Sequence, residues 1–492
     1  MLHPRFAFWL FTVAALAIAA IGLGGGALRM AFGVPVGLGL AWVARALRHP
    51  EASLVPRLPR RGVVAGLAAV VLGVAWVLGG VGLGGWATLL LGLAAVAEGT
   101  QLSLALDPVP ADLPLPSTRR VRLTAAIAAD ELVRFSWDLG GRITPTGEAG
   151  PLSARLRMAA ERAHSEGWDT DPAAAHPRPP ALDKPEVQRT TLRGLGAVEH
   201  LTFESEFEPF DPEARDAYLG VASNREAHVW LFRSPEPKPT LVCVHGYGGG
   251  RPGFDARMFE VARLRERLGI DVASFVLPLH GARAIARRSG QGFLDGDPLW
   301  TNAAMGQAVW DLRRLTGWLH GQGAPVVGAM GMSLGGYTTA LWASLDDRLA
   351  CAIPMIPAVR LSRIVWNGFA PERARALEAA GASEALLEQA WATHAPLRHR
   401  PVVDPDRALV VAGLADRICR PADVRDLWEH WARPALHWFP GTHVGQVDRA
   451  GVRGAVEVHL RRALRPPETG AAGPGASSGG DAAPLSRFTW SS

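Results

Sequence analysis

The sequence predicts two regions: an amino-terminal all-α transmembrane region, and an α/β domain whose mostly parallel sheet is flanked by helices. Of two early apolar stretches, 6–44 contains one charged residue, Arg29, and 62–97 contains none. From about residue 189, short apolar runs alternate with segments of helical periodicity, which is typical of a parallel sheet covered on both faces. A strand-like run at 325–330 then leads through a glycine-rich turn into a helix-like segment.

The early apolar stretches are too long to be one membrane helix each. A single helix over 62–97 would be about 54 Å long, whereas the hydrocarbon core of a bilayer is about 30 Å thick. Glycine-rich segments at 24–26 and 79–82 provide the breaks. Two or three spans remain possible, because the second is short and contains Pro35. Four spans are nevertheless predicted, near 6–27, 30–46, 62–78 and 81–97.

The basic residues predict the orientation of these spans. Five arginines lie between the second and third spans: Arg45, Arg48, Arg57, Arg60 and Arg61. The positive-inside rule places this segment and the amino terminus in the cytoplasm, and an even number of spans returns the chain there. We therefore expect a multi-pass protein of the inner or plasma membrane, with its α/β domain on the cytoplasmic side. The three cysteines lack metal-ligand spacing and agree with a reducing compartment.

Shifts in composition predict the domain boundaries. Residues 1–98 form the transmembrane region as two helical hairpins, and 99–188 form a linker with a small helical region. The α/β domain spans 189–465, and the low-complexity segment 466–492 is predicted to be disordered. The net charge of +5 resides partly in the arginines at the membrane end, where anionic lipid explains it, so no nucleic-acid partner is expected.

Each element of the α/β domain follows from a local pattern. Short apolar runs between turn residues predict strands, and apolar residues at helical spacing predict helices. The predicted strands are 198–207, 227–232, 240–245, 270–277, 325–330, 349–356, 408–412 and 436–439. The predicted helices are 254–264, 302–320, 337–345, 421–431 and 454–464, with a mostly helical insertion at 358–405. Two further helices, near 122–139 and 152–165, precede the domain.

The glycine-rich turn contains the pattern G-x-S-x-G, with Ser333 between Gly331 and Gly335. A serine on a sharp turn between a strand and a helix is held out at the sheet edge, where it can act as a nucleophile. A second copy of the pattern, at 475–479, has no strand before it. The context therefore favours Ser333.

A carboxylate and a histidine occupy the positions that such a serine requires. Asp416 follows the strand 408–412, where it can bind a histidine N–H; the alternative is a turn aspartate that caps the next helix. His443 lies in the loop after the last strand, and its ordinary pKa near 6.5 suits proton transfer in both directions. His437 is the alternative base, but it lies within a strand.

A glycine loop follows the strand 240–245. Glycines there allow close approach of a substrate, and free backbone N–H groups can stabilise negative charge on a carbonyl oxygen. Gly246 and Gly248 are the candidate substrate-binding residues of this loop. A phosphate-binding loop is the alternative, but the Lys-Ser/Thr ending is missing.

Residues from about 190 to 465 resemble the α/β-hydrolase superfamily, and within it the membrane-associated and bacterial abhydrolase-domain proteins of unassigned substrate. The order Ser, Asp, His is that of the superfamily. The resemblance implies that Tyr247 and Leu334 supply the backbone N–H donors and that His280 borders the substrate pocket. It also implies that the insertion 358–405 is a lid, whose Trp366 and Phe369 either line an acyl-binding pocket or pack.

The expected function is a membrane-anchored serine hydrolase that cleaves carboxylic esters or thioesters through an acyl-enzyme. No metal or cofactor is expected; the expected partners are a small-molecule ester or lipid-like substrate and membrane lipids. Two alternatives stay open: a serine peptidase of the prolyl-oligopeptidase type, and a non-catalytic membrane scaffold. Acyl acceptor and oligomeric state are also open. The peptidase is disfavoured because about 240 residues precede the glycine loop, much of them apolar, which leaves no room for a propeller.

Overall fold

The computed structural model describes residues 4–48, 55–112, 120–140 and 143–465. Parts of the predicted linkers and the whole segment 466–492 lie outside the described residues, so those predictions stay untested. The first four helices are α1 Pro4–Leu23, α2 Ala27–Arg48, α3 Leu58–Leu78 and α4 Leu83–Leu106. Each of the four is long and apolar enough to cross a membrane. Both predicted glycine breaks are confirmed.

The fourth helix continues past residue 98, the predicted end of the transmembrane region. It continues to Leu106, so the residues assigned to the start of a linker are helical. One face of this extension is buried: Thr100 and Ser103 are buried, and the Ser103 hydroxyl donates to the Glu131 carboxylate, whereas Gln101 is exposed. The end of the helix therefore packs against α5 through its polar side chains.

Close packing of α3 against α4 depends on small residues. A side chain at Gly73 would overlap the backbone of Leu89, and a Cβ at Gly92 would lie 2.6 Å from the Val70 nitrogen. Glycines of this kind let two apolar helices approach closely, which is typical of helix pairs in membranes. The second hairpin is thus a tightly packed unit.

Two helices, α5 Arg120–Gly140 and α6 Ala149–Ser165, separate the apolar helices from the sheet. The first strand of the sheet begins at Glu186, so the predicted domain start at 189 falls inside it. That strand is mostly exposed and has no apolar run, which is why the sequence pattern missed it. Before it, the regular elements among the described residues are all helical, and none forms a propeller blade.

The sheet has nine strands in the order β1-β2-β3-β5-β4-β6-β7-β8-β9. β1, β2, β3 and β5 pair antiparallel in that order, and all other neighbours are parallel. The strands are β1 Glu186–Leu192, β2 Gly196–Glu204, β3 Glu226–Phe232, β4 Thr240–Val244, β5 Asp271–Phe275, β6 Val327–Met332, β7 Leu349–Met355, β8 Leu409–Gly413 and β9 Ala435–Phe439. This crossover order and the strand–turn–helix at Ser333 are those of the α/β-hydrolase fold.

The remaining helices cover both faces of the sheet. They are α7 Pro212–Leu219, α8 Ala222–Arg225, α9 Pro252–Met258, α10 Val261–Leu268, α11 Pro298–Gly321, α12 Leu334–Trp342, α13 Leu361–Trp366, α14 Pro371–Ala379, α15 Glu384–Ala390, α16 Pro421–His430 and α17 Arg449–Ala463. Alternate residues of β4 belong to opposite cores: Val242 packs with α11 and α12, and Cys243 packs with α10 and α17. Burial on both faces explains the continuous apolar runs of the central strands.

The same topology positions the candidate site residues. Ser333, Asp416 and His443 follow β6, β8 and β9, which lie within four neighbouring strands of the sheet. Because parallel strands end at the same edge, the loops that follow them converge there. Residues far apart in sequence are thereby brought to one edge.

Candidate active site

Ser333 sits at a strained turn between β6 and α12. Its backbone has φ 57° and ψ −114°, a conformation that residues other than glycine rarely adopt. Neighbouring structure holds the turn, because the Ser333 N–H donates to the Met355 carbonyl at 3.0 Å and the Ser333 carbonyl accepts from the Tyr337 N–H at 2.9 Å. Strain of this kind persists only where the surroundings fix it, and it often marks functional sites.

The glycines of the turn are required by the space around them. A Cβ at Gly335 would overlap the carbonyl oxygen of Val244 in the neighbouring strand. A Cβ at Gly331 would overlap the carbonyl oxygen of Gly335. The sequence pattern therefore reflects the close approach of three backbone segments.

Replacing Gly335 with alanine is expected to destabilise the protein by about 3 kcal/mol or more, since backbone atoms cannot yield to the new methyl group. The expected result is a lower thermal midpoint or loss of folded protein, measured by circular dichroism of the purified chain. Gly253→Ala is the control, because a Cβ at Gly253 meets nothing within 4 Å. Equal thermal midpoints for the two variants would contradict the close approach.

The structure brings Ser333, His443 and Asp416 into one hydrogen-bonded chain. His443 Nε2 lies 3.0 Å from Ser333 Oγ, and His443 Nδ1 lies 2.9 Å from Asp416 Oδ2. The buried Asp416 carboxylate also accepts the backbone N–H groups of Ile418 and Cys419 at 2.8 and 2.7 Å. Since the carboxylate only accepts, it assigns the imidazole proton to Nδ1 and leaves Nε2 free to accept from the serine hydroxyl.

The two alternatives from the sequence occupy other positions. Helix α16 begins at Pro421 with Arg420 at its N-cap, so Asp416 does not cap it. His437 lies within β9 and is partly buried.

Charge dominates the environment of His443. Burial lowers the pKa of the imidazole, but the charge of Asp416 and the neighbouring Cys419 outweigh it, so the pKa of His443 is raised well above its ordinary value. An imidazole with a raised pKa accepts a proton readily and gives it up at higher pH. It is thus a strong base once deprotonated.

Asp130 on α5 is a site residue that sequence reasoning missed. Its carboxylate is fully buried and accepts four hydrogen bonds at 2.9–3.0 Å. The donors are the backbone N–H groups of Arg417, His443 and Val444 and the hydroxyl of Thr442. One carboxylate therefore fixes both the loop after Asp416 and the loop that carries His443.

One feature of the sequence could have indicated that Asp130 is buried, namely its position on the apolar face of a predicted helix. Leu123, Ile127 and Asp130 are spaced four and three residues apart, so the aspartate lies on the apolar face of α5. Burial, followed by the charge of Asp416, raises the pKa of Asp130 to about 6. Only the carboxylate form can accept all four bonds.

Asp130→Asn is expected to lower kcat by about 100-fold with little change in KM. The amide has one acceptor oxygen where the carboxylate has two, so the loop is held less well and His443 shifts out of position. Steady-state kinetics on a chromogenic ester measure both constants. Asp216→Asn removes a charge from an exposed position and serves as the control. A parallel loss of thermal midpoint with unchanged kcat in the folded fraction would show that Asp130 is only structural.

The glycine loop after β4 passes directly beside the serine. A Cβ at Gly246 would lie 3.3 Å from the Cβ of Ser333, so the backbone of the loop approaches the serine side chain closely. Tyr247 is the next residue, and the exposed Gly248 has φ 82°. Leu334 is the first residue of α12, and N–H groups in the first turn of a helix have no acceptor within it. Tyr247 and Leu334, the residues predicted to supply the backbone N–H donors, thus lie close to Ser333 in the chain or next to a residue that contacts it.

His280 follows β5, and its predicted place at the border of the substrate pocket stays a prediction. Its side chain is fully buried, Nδ1 lies 2.9 Å from the Pro278 carbonyl, and the ring packs edge-on against Tyr247 at 5.6 Å. Burial and the neighbouring His245 lower the pKa of His280 to about 3, so the ring is neutral. The segment after β5 directs the His280 ring into the core, where it packs against Tyr247 of the glycine loop.

The two aromatic residues of the insertion pack against the domain. Trp366 and Phe369 contact each other with ring centroids 5.7 Å apart. Phe369 is buried in the main core, Trp366 packs against the same core, and the Phe369 carbonyl accepts from the Arg57 guanidinium. The insertion contains α13, α14 and α15 and is therefore attached to the start of α3.

Among the described residues, one group has donor atoms placed for a metal: Asp416, Cys419 and His443, within 4.8 Å of one another. Its carboxylate and imidazole already bind each other and Ser333. These atoms therefore form part of the chain of hydrogen bonds to Ser333.

No family model matches the chain. Over 314 residues it is 32% identical to the "Uncharacterized protein MT2702" of Mycobacterium tuberculosis (strain CDC 1551 / Oshkosh), covering 63% of this chain and 75% of that protein. Over 298 residues it is 33% identical to the "Uncharacterized protein Rv2627c" of strain H37Rv, covering 60% of this chain and 71% of that protein.

Solved structures with a similar fold include two acetyl xylan esterases. The enzyme from Thermoanaerobacterium sp. has a TM-score of 0.41 at 16% identity over 65% of this chain and 94% of its own. The enzyme from Paenibacillus sp. R4 has a TM-score of 0.42 at 15% identity over 64% and 96%. By sequence identity and coverage, the chain belongs to the family of the two Mycobacterium tuberculosis proteins, and its sheet domain has the α/β-hydrolase fold.

Proposed function

We propose that the chain is a membrane-anchored serine hydrolase that cleaves carboxylic esters or thioesters through an acyl-enzyme. The observation that carries the proposal is the hydrogen-bonded chain from Ser333 Oγ through His443 to Asp416, at 3.0 and 2.9 Å. A serine, a histidine and a carboxylate in this geometry are the parts that acyl transfer needs.

In the first half of the reaction, Ser333 Oγ attacks the substrate carbonyl while His443 Nε2 takes the hydroxyl proton. The oxygen of the tetrahedral intermediate carries the negative charge, which the backbone N–H groups of Leu334 and Tyr247 stabilise. His443 then donates its proton to the leaving alkoxide or thiolate, and the acyl group stays on Ser333. Asp416 holds the imidazole in the required tautomer throughout.

Water completes the cycle by the same route. His443 takes a proton from the water, the hydroxide attacks the acyl carbonyl, and Ser333 leaves with the proton from His443. Proton transfer contributes about 10²–10⁴-fold to such a rate, and each oxyanion donor about 10²–10³-fold. No metal or cofactor takes part in these steps.

The amino-terminal helices support a membrane location. Four helices are apolar enough to span a bilayer, and ion pairs join α3 to α5, with Arg60 Nε 2.7 Å from Asp138 and Arg57 3.3 Å from it. Since α5 also supplies Asp130, the spans are connected to the proposed catalytic loop. We place the α/β domain on the cytoplasmic side, with residues 358–405 as its lid, and favour a lipid-like ester.

Pre-steady-state hydrolysis tests the proposal. The detergent-solubilised full chain is mixed with p-nitrophenyl esters of graded acyl length, with acyl thioesters, and with peptide p-nitroanilides. A burst of p-nitrophenol equal to the enzyme concentration, followed by turnover of esters or thioesters, is expected. Cleavage of the anilides alone would favour a peptidase. A folded chain that turns over none of them would favour a scaffold.

A further inference from the structure

A cavity of about 270 Å³ lies at the junction between the apolar helices and the α/β domain. It is bounded by the start of α3, the end of α4, helices α5 and α13, and the loop after Asp416. Ser333 and His443 are not among its lining residues. The volume is slightly below the range of about 300–1,000 Å³ that is typical of sites for drug-sized ligands.

The charged residues of this cavity carry an excess of positive charge. Five arginines and three aspartates line it: Arg60, Arg134, Arg363, Arg417, Arg420, Asp107, Asp138 and Asp423. Four of the arginines have a carboxylate partner at 2.6–3.0 Å, in the pairs Arg60–Asp138, Arg363–Asp423, Arg420–Asp107 and Arg134–Glu131. Arg417 is the exception.

Arg417 is buried and has no ion-pair partner among the described residues. Its side chain is 3% exposed, and no carboxylate among the described residues lies within ion-pair distance of it. Nη1 donates to the carbonyls of Ser103 and Asp107 at 3.2 and 2.6 Å, Nε donates to the Ala415 carbonyl at 2.9 Å, and Nη2 has no protein acceptor. A buried charge held by neutral carbonyls is costly, and an anion would compensate it.

Arg60 offers further donors to the same cavity. It is also 3% exposed, and its Nη2 has no hydrogen-bond partner among the described residues. Arg60 lies in the first turn of α3, whose free backbone N–H groups favour negative charge. Two guanidinium groups from different parts of the chain thus line one cavity, and each has a donor without a hydrogen-bond partner among the described residues.

We propose that this cavity binds a phosphate group, with Arg60 and Arg417 as its guanidinium ligands. The planar fork of arginine matches the oxygens of phosphate, and the excess positive charge matches a phosphate monoester or diester. The cavity lies at the start of α3 and the end of α4, two apolar helices, where the headgroup of an anionic lipid would be available. The phosphate comes from such a headgroup or from free phosphate.

The site adjoins the proposed catalytic loop. The Arg417 N–H donates to Asp130 at 3.0 Å, and the same carboxylate holds the His443 loop. An occupant would also contact α13 of the proposed lid. The binding site itself does not depend on hydrolase activity.

Isothermal titration calorimetry of the detergent-solubilised full chain tests the site. The probes are inorganic phosphate, dihexanoyl phosphatidic acid and, as the zwitterionic comparison, dihexanoyl phosphatidylcholine. Wild type is expected to bind phosphatidic acid, and Arg417→Met and Arg60→Gln are each expected to raise Kd by about tenfold or more. Arg178→Gln is the control, because it removes the same charge from an exposed side chain.

Each outcome decides the proposal or its source. Binding of phosphatidic acid alone identifies a lipid headgroup, and binding of inorganic phosphate as well shows that the free ion suffices. If circular dichroism shows that Arg417→Met does not fold, the Kd of Arg60→Gln alone tests the site. Absence of binding to wild type, or equal Kd values for wild type and both folded arginine variants, would overturn the site. Because the readout is binding, a failure here leaves the proposed hydrolase untouched.

Discussion

Ser333→Ala is expected to lower kcat by about 10⁶-fold. The reason is that no other side chain stands at the position of Oγ, 3.0 Å from His443 Nε2 and beside Gly246. The fold should persist, because Oγ has no structural partner besides His443 among the hydrogen bonds of the described residues. Ester hydrolysis by the purified full chain measures the effect.

Ser477→Ala is the matched control for this prediction. It removes the serine of the second G-x-S-x-G, which lies outside the described residues. Activity equal to wild type is expected. If Ser333→Ala retained activity within tenfold of wild type while Ser477→Ala lost it, the assignment of the nucleophile would be wrong.

Asp416→Asn is expected to lower kcat by about 10⁴-fold at neutral pH. Asparagine keeps the shape but donates from its nitrogen, so the imidazole can settle in the wrong tautomer, with its proton directed at Ser333. The backbone donors of Ile418 and Cys419 can still bind the remaining oxygen, which should preserve the loop. Steady-state kinetics with a thermal melt separate the catalytic effect from a structural one.

The pH profile of the same variant provides a second test. Burial lowers the pKa of His443, and the opposing charge of Asp416 raises it well above its ordinary value overall. Only the deprotonated imidazole can act as the base, so kcat/KM of wild type should rise with pH through this raised pKa. In Asp416→Asn the raising charge is gone and burial stays, so the rise should move to lower pH. A profile whose midpoint is the same in both proteins would contradict the coupling.

The sequence allowed the fold to be predicted where local chemistry and topology agree. Glycines at 24–26 and 79–82 break the apolar stretches, and the observed helices end at Leu23 and Leu78 beside them. Central strands such as β4 and β8 are buried on both faces, so their apolar runs are visible in the sequence. The α/β-hydrolase fold is confirmed by the strand order.

What the sequence could not show depends on contacts between distant elements. The polar end of α4 looks like a linker, because the partners of Ser103 lie on α5 and in the loop at Arg417. The exposed edge strand β1 has no apolar pattern to reveal it. Asp130 was missed for the same reason, since the groups that it binds are about 290–310 residues away along the chain.

For the candidate site, chain order and position after strands predicted which side chains would meet. Ser333, Asp416 and His443 lie together as expected, although their catalytic roles remain predictions. The burial of His280 was not predictable, because a strand end can direct the next side chain either to the pocket or into the core. Whether one loop residue is exposed or buried depends on tertiary packing, which cannot be read from a single sequence.

Labelling with a fluorophosphonate tests the central claim most directly, because the reagent phosphonylates only a serine that a neighbouring base activates. The full chain in its membrane is treated with the probe, digested and analysed by mass spectrometry. The adduct is expected on Ser333, with none in Ser333→Ala and strongly reduced labelling in His443→Ala. A folded wild-type protein that stays unlabelled, or that carries the adduct on another serine, would contradict the account.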